Sequence, residues 1–373
     1  VGSFADNGGV EQDGSSVTTP LVKLIGEKVA RGGGWLPFDR FMALALYAPG
    51  LGYYASGLPK FGHMPGSGSD FVTAPEMTPL YGRAIAVQVQ EALQQTGTHE
   101  IWEFGAGSGL LARELLDTLG ARVQRYTIVE VSASLQARQQ ETLGPHAGKV
   151  AWASELPPNI EGVILGNEVL DAMPVKVLAR RNGVWHERGV TLRGGQLAWS
   201  EVVTHLRPPL EPQGTHDFVT EVHHQAEAFV RTLGERLSAG AAFFFDYGFP
   251  ESEYYHAQRS MGTLMCHRGH QADPEPLAAP GDKDITAHVN FTGIAVAAQE
   301  AGLPTLGYAS QGRFLVNCGM GELMASATTQ DQVAAQRLIA EHEMGELFKV
   351  IAFQRGPFWD AIGFRTGDRT HTL

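Results

Sequence analysis

The segment Ile101-Trp102-Glu103-Phe104-Gly105-Ala106-Gly107-Ser108-Gly109 constrains the fold of this chain more than any other. Residues 101–104 read as a short buried strand, and the periodicity after Gly109 reads as a helix over 109–119. Between them lie glycines at alternate positions. Such glycines are needed where a turn is tight and a ligand lies against bare backbone. The same alternation continues downstream, with a strand over 126–131, a helix over 132–143 and apolar strands over 150–153 and 162–165. Strand, helix and strand at this spacing imply right-handed crossovers and a parallel sheet. The expected fold class is therefore α/β, a doubly wound sheet.

The loop also narrows the ligand. In the nicotinamide fingerprint G-x-G-x-x-G/A, a count from Gly105 puts the last position on Leu110, and a count from Gly107 reaches only Ala112. The spacing that fits is E-x-G-x-G-x-G, with Glu103 directly ahead of the glycines, as in methyltransferase loops. Glu130 closes the next strand, 25 positions after Gly105. A carboxylate there can accept both hydroxyls of a ribose. No Walker-type Lys follows the glycines, which disfavours a nucleotide triphosphatase. The expected cofactor is S-adenosylmethionine, and a dehydrogenase is the minor alternative.

Elsewhere the chain divides into an N-terminal tail over 1–18, a helical and lid segment over 19–98, and a catalytic domain over 99–373. The tail is rich in Gly, Ser, Asp and Asn and is expected to be disordered. A helix starts with Thr19 as N-cap and Pro20 in its first turn, and further helices are expected over 38–47 and 79–95. Residues 50–76 are rich in Gly, Pro and aromatics. They read as a lid hinged at Gly66, Gly68 and Asp70, or as a fixed loop, with Thr73, Pro75 and Glu76 able to reach the ligand. Over 175–215 a β-rich insertion is expected, with hairpin turns at Asn182-Gly183 and Gly194-Gly195. It offers a surface on which a homodimer could form. A helix is expected over 218–237 with His223 and His224 on its solvated face, then a strand over 242–245, helices over 292–301 and 330–342, and a strand over 348–354.

The net charge of -12 disfavours nucleic acid as substrate, since that grip needs many cationic phosphate contacts. A basic protein or peptide suits the sign better. Cys266 and Cys318 are the only cysteines, too few for a disulfide framework, and a reducing compartment is the simple reading. No apolar stretch reaches the length of a membrane span, and no secretory signal is expected from the pattern of the first residues. Cys266, His267 and His270 lack a second set of ligands at a diagnostic spacing, so no metal is expected.

Further segments carry a specific resemblance. They are Phe71-Val72-Thr73-Ala74-Pro75-Glu76, the Glu103 to Gly109 loop, Gly166-Asn167-Glu168-Val169-Leu170-Asp171-Ala172-Met173-Pro174-Val175, Asp246-Tyr247-Gly248, Gly262-Thr263-Leu264 and Asp284-Ile285-Thr286-Ala287-His288-Val289-Asn290-Phe291. In these the chain resembles the MidA-like methyltransferases, whose mitochondrial member is an arginine methyltransferase serving respiratory complex I assembly. The resemblance implies a class I methyltransferase fold and S-adenosylmethionine as donor. It also implies a protein arginine as acceptor, in a respiratory complex I subunit. A bacterial chain of this kind would be cytoplasmic, and its eukaryotic relatives lie in the mitochondrial matrix. The alternatives are a small-molecule or RNA methyltransferase, or a non-catalytic cofactor-binding assembly factor.

Glu103, Gly105, Ala106, Gly107, Gly109 and Glu130 are expected to bind the cofactor, with Asn167, Pro75 and Glu76 beside it. Asn167, Glu168 and Asp171 follow a strand end, where ligands of open α/β sheets bind. For an arginine acceptor, Glu168 would bind the guanidinium and Asp171 assist, although Asp171 reads equally well as a cap. His288 is a general base or acceptor contact, or a structural hydrogen-bonding group. Asp246 and Tyr247 either line the crevice or end a strand.

Overall fold

The apolar runs of the sequence become neighbours in one sheet, seen here in a computed structural model that describes residues 19–55, 73–269 and 271–373. The expected tail and most of the expected lid, with Gly66, Gly68 and Asp70, lie outside the described residues. The strand order is Thr305–Ser310, Phe348–Arg355, Leu237–Phe249, Ile160–Asn167, Glu100–Phe104, Arg125–Val129, Val150–Ala153. From Leu237–Phe249 to Val150–Ala153 the neighbours are parallel. Phe348–Arg355 runs antiparallel to both of its neighbours. This order with its one reversed strand is that of class I methyltransferases. The chain first builds outward from Glu100–Phe104, then returns to Ile160–Asn167 on the other side. Ligands bind at the carboxyl ends of strands at such a reversal.

Both faces of the sheet are covered, which is why its strands are continuously apolar rather than alternating. Val163, Leu165, Phe243 and Phe245 join the core on one face, and Ile164, Ala242 and Phe244 that on the other. Pro79–Thr96 packs on the first of these faces. Thr78 caps that helix by accepting from the Leu80 N–H at 3.3 Å, and Gly97 ends it in the left-handed region at φ 65°. A capping hydroxyl at one end and a left-handed glycine at the other satisfy groups the helix itself cannot pair.

A second, antiparallel sheet orders Leu36–Pro37, Val184–Arg193, Lys176–Arg181 and Phe218–Val222, with Gln196–Val203 paired to Val184–Arg193. Its turns put Asn182 and Gly183 at φ 49° and 80°, and Gly194 and Gly195 at 57° and 80°. Two successive left-handed residues are what a tight two-residue hairpin demands. The helices Pro20–Arg31 and Phe38–Tyr47 share a core with this sheet. A small third sheet orders Gln271–Asp273, Met265–Arg268 and Asp284–Thr286. No helix among the described residues is long and apolar enough to cross a membrane.

Two expectations fail at one place. The helix expected over 218–237 is His224–Arg236 only, because Phe218–Val222 is a strand with every residue buried. Its Val-Thr-x-Val pattern suits a covered pleated surface better than a helix. His223 is accordingly buried, with Nε2 3.1 Å from the Tyr254 hydroxyl, and not solvated.

The close approach of Leu237–Phe249 to Ile160–Asn167 depends on Gly240, at φ 143°, where a Cβ would stand 1.8 Å from the Gly162 carbonyl oxygen. Gly240→Ala is expected to lower the unfolding free energy by at least about 3 kcal/mol. Gly183→Ala, in a turn with open space around it, is expected to cost only about 1 kcal/mol. Urea denaturation of the two variants measures the difference.

Candidate active site

The loop after Glu100–Phe104 is shaped by its glycines. Gly105, Gly107 and Gly109 have φ of 64°, 52° and 83°. An L side chain in that region costs about 1–2 kcal/mol, and a Cβ on Gly105 would also stand 2.9 Å from Val169 Cγ2. The result is exposed backbone curling over a strand end, with Gly109 leading into the helix Leu110–Leu119.

Acidic groups surround this loop. Glu103 lies buried beneath it and accepts from the Tyr126 hydroxyl at 2.7 Å. Burial pushes its carboxyl up to about 7 against the pull of that bond. Glu130 follows the strand Arg125–Val129. Its Oε1 accepts from the Ser132 N–H at 2.8 Å, and its Oε2 from Gln139 Nε2 at 3.3 Å. Burial raises its pKa while these donors lower it. Gln139 also donates to the Gly107 carbonyl at 3.1 Å and accepts from Trp152 Nε1 at 2.9 Å. This fully buried amide ties Glu130 to the loop, a role not anticipated from sequence. On the opposite side Ser108 Oγ donates to Glu76. Glu76 stands with Pro75 in the short helix Ala74–Met77, and Ala106 is packed into the core below.

The neighbouring strand Ile160–Asn167 ends in a second constellation. Tyr81 donates to Asn167 Oδ1 at 2.6 Å, which turns the Asn167 amide nitrogen toward Glu168 Oε1 at 3.1 Å. Glu168 itself sits at φ 54°, in the left-handed region. Strain of this kind in a residue with a Cβ persists only where its surroundings enforce it, and it clusters at functional sites. The enforcing group is Asp246. Its Oδ2 accepts from the N–H groups of Val169, Leu170 and Asp171 at 3.2, 2.9 and 3.3 Å, and its Oδ1 from that of Tyr247 at 3.0 Å. Asp246 is thus a buried brace beneath the crevice rather than part of its lining, whereas Tyr247 does line it.

Above the brace the carboxylates face one another. Glu168 borders the cavity rather than bulk water. Burial, followed by the charge of Asp171, pushes it up to about 8, against the donors Asn167 and Ala74. Asp171 is raised to about 6 by burial, with Tyr247 and backbone N–H groups opposing. Its Oδ1 is buried and has no hydrogen-bond donor among the described residues. His288 donates its backbone N–H to Thr263 at 3.1 Å, and its ring meets Tyr247 edge-on at 5.1 Å. Burial, then Arg259 and Lys349, lowers its pKa to about 4, so it is neutral at pH 7.

The two constellations open into a single cavity of about 870 Å³, near the upper end of the range of about 300–1,000 Å³ for ligand pockets. Tyr47, Tyr54, Asp284 and Thr263 also line it, and none of them was anticipated from sequence as a site residue. Tyr47 and Tyr54 are contributed from far along the chain. Thr263 is held by Glu221, a buried carboxylate that accepts from its N–H at 3.0 Å and its hydroxyl at 2.9 Å. His267 lines the cavity beside the buried Cys266, and His270 lies outside the described residues.

A bare glycine turn at the sheet's reversal, a carboxylate at the next strand end and room for an extended ligand fit S-adenosylmethionine. Fold and site together define a class I S-adenosylmethionine-dependent methyltransferase. Comparison with known proteins narrows the class. Residues 84–309 match the profile of a family described as S-adenosyl-L-methionine-dependent methyltransferases. A superfamily member from Burkholderia thailandensis, crystallised with S-adenosyl-homocysteine, is 46% identical, with a TM-score of 0.91 over 95% of this chain and 96% of that one. The mitochondrial protein arginine methyltransferase NDUFAF7 of Danio rerio is 27% identical over 90% of this chain and 87% of its own length. The human NDUFAF7 is 26% identical over 90% and 83%. The chain belongs to this methyltransferase family, the MidA-like one.

Asp246→Ala leaves four backbone donors without their acceptor in a buried place. It is expected to lower stability by about 3 kcal/mol, read as a shift in the denaturation midpoint at unchanged slope.

Proposed function

We propose that the protein transfers a methyl group from S-adenosylmethionine to a guanidinium nitrogen of an arginine in another protein. The observation that carries this reading is the strained Glu168, facing Asp171 at the strand end beside the glycine loop. Two carboxylates bordering one cavity, with no cation between them among the described residues, are costly to desolvate, and a guanidinium supplies both charge and donors. That the Danio rerio and human relatives are named protein arginine methyltransferases supports the same acceptor. A respiratory complex I subunit, implied by the family resemblance, is the first acceptor to assay.

In this reading Glu130 holds the cofactor's ribose, Glu103 and Glu76 brace the loop from below and beside it, and the bare backbone of Gly105, Ala106, Gly107 and Gly109 lets the ligand approach. The cofactor, when bound, supplies an electrophilic methyl on its sulfonium. Glu168 accepts N–H bonds from the guanidinium and fixes its plane. Its negative charge draws the delocalised positive charge toward the nitrogens it holds, leaving the remaining nitrogen the better nucleophile. Asn167 keeps Glu168 in place. Asp171, through the oxygen that lacks a donor, accepts the proton that nitrogen loses. His288 is neutral at working pH and serves as a contact along the wall. Holding two reactants in line is the main source of rate in such a displacement.

Replacement of Glu130 by Ala is expected to weaken S-adenosylhomocysteine by about tenfold or more, roughly 1.4 kcal/mol, in a calorimetric titration. Glu168→Gln should leave that affinity within about twofold and lower methyl transfer to protein by about 100-fold or more. Full turnover in this variant would remove the proposed role of Glu168.

The raised carboxyls also set a pH dependence. At pH 6 Glu168 is protonated and Asp171 about half so, and a cation is held poorly; both ionise as the pH rises through about 6 and about 8. For a cationic acceptor kcat/KM should therefore climb between pH 6 and 8, and acceptor binding at pH 7 should release protons. Because both pKa values are raised in the folded state, the acceptor-free protein should lose stability as the pH rises from the ordinary carboxyl range near 4 to about 6 for Asp171 and about 8 for Glu168. Initial rates across this range, with melting temperatures beside them, test both statements.

A further inference from the structure

We propose that Arg259 binds a carboxylate of the acceptor protein, an Asp or Glu side chain close in sequence to the methylated arginine, and so selects among acceptors. This rests on the arginine reading above and adds a determinant of specificity to it. Among the described residues that line the cavity, Arg259 is the one arginine or lysine. Its side chain is fixed from two sides. The guanidinium carbon stands 3.6 Å from the centre of the Phe249 ring, and Nε donates to the Glu253 carbonyl at 2.9 Å. Among the described residues this side chain makes no other hydrogen bond, and no carboxylate forms an ion pair with it. Both η nitrogens are therefore left to a guest. The backbone beneath is held as well: the Arg259 N–H donates to the His256 carbonyl at 2.8 Å, and the Val219 N–H to the Ser260 carbonyl at 2.8 Å. A charged fork already in place loses little freedom when it grips a carboxylate through two parallel N–H bonds.

The position of Arg259 favours a carboxylate of the acceptor over that of the cofactor. Phe249, on which it rests, ends the strand Leu237–Phe249. That strand lies two places from Glu100–Phe104, with Ile160–Asn167 between them. Two places are about 10 Å at ordinary strand spacing. Glu130 follows the strand one place further still, on the other side of the glycine loop. Arg259 thus stands beyond Glu168 as seen from the cofactor site. The rings of Phe249, His288 and Tyr247 follow one another along this side, with centres 5.3 and 5.1 Å apart. The charge of Arg259 acts on His288, whereas the charge acting most on Glu168 is that of Asp171. Cation and acids therefore occupy different parts of one cavity. An acceptor segment that carries a guanidinium with a carboxylate nearby meets the opposite charge at both places. One with a lysine there meets like charge at Arg259, which is how a site turns away a wrong partner.

The test uses the full chain saturated with S-adenosylhomocysteine, and acetylated pentapeptide amides with a central arginine flanked on both sides by glutamates or by glutamines. Calorimetry should show the wild type binding the glutamate peptide tighter by about fivefold or more. Arg259→Gln should abolish that preference. Arg259→Lys, which keeps the charge but loses the planar fork, should reduce it to about twofold; it carries the test if Arg259→Gln does not fold. Affinity for S-adenosylhomocysteine should stay within about twofold in both variants. A loss of that affinity, absent for 5′-methylthioadenosine, which lacks the amino-acid carboxylate, would assign Arg259 to the cofactor and overturn the proposal. Equal binding of the two peptides by the wild type, or a preference undiminished in the folded variants, overturns it too, while the arginine reading stands. Citrulline at the centre separates the two: citrulline peptides that bind as tightly as their arginine counterparts sink the arginine reading, and this proposal with it. Binding by none of the peptides does the same.

Discussion

The carboxylate of Asp246 gathers four backbone N–H groups at the carboxyl end of the sheet, and the geometry above it follows from that grip. It anchors the turn after Ile160–Asn167 to the neighbouring strand Leu237–Phe249. With the N–H groups of residues 169–171 pointed inward, the chain before them turns through Glu168 in a left-handed conformation. The Glu168 side chain is thereby directed beside the glycine loop, where Asn167 and Tyr81 hold it. One buried acid does structural work so that two others can face the cavity.

Among the described residues no cation pairs with Glu168 or Asp171, and the proposed acceptor site is built on that charge. Buried carboxylates near one another raise each other's pKa and weaken the protein that carries them. Such an arrangement is retained where a ligand completes it. In the proposed reading Glu168 and Asp171 lie on one side of the cavity and the glycine backbone on the other, so a donor ligand and a cationic acceptor would occupy separate walls. The stacked pair Tyr47 and Tyr54 lines the same cavity, and in the proposed reading a planar cation would lie against a ring face.

Local features were legible before any coordinates. The E-x-G-x-G-x-G spacing, the position of Glu130 and the run Asn167-Glu168 after an apolar strand are adjacent in sequence and in space. The N-cap at Thr19 and the hairpin turns at Asn182-Gly183 and Gly194-Gly195 are likewise matters of a few residues. What escaped is long-range. Tyr47 and Tyr54 come from the N-terminal helices, and Asp284 from a three-residue strand whose pattern resembles a loop. Gln139 is a buried amide within a helix of otherwise polar pattern, and only the loop it holds explains its burial. The strand Phe218–Val222 was misread because a run that pairs with a distant hairpin carries no mark of that partner in its own periodicity. Thr305–Ser310 went unnoticed for a similar reason, being an edge strand paired with the antiparallel Phe348–Arg355.

The central claim is that a carboxylate-lined chamber beside the cofactor site takes a guanidinium. The most direct test is to supply methyl-labelled S-adenosylmethionine to the enzyme with protein extract, isolate the labelled protein, and locate the methyl by mass spectrometry after complete hydrolysis. Label on a guanidinium nitrogen of arginine is the result this account predicts. Label on a lysine amine, a hydroxyl, a carboxylate or a nucleobase, with arginine unlabelled, would contradict it.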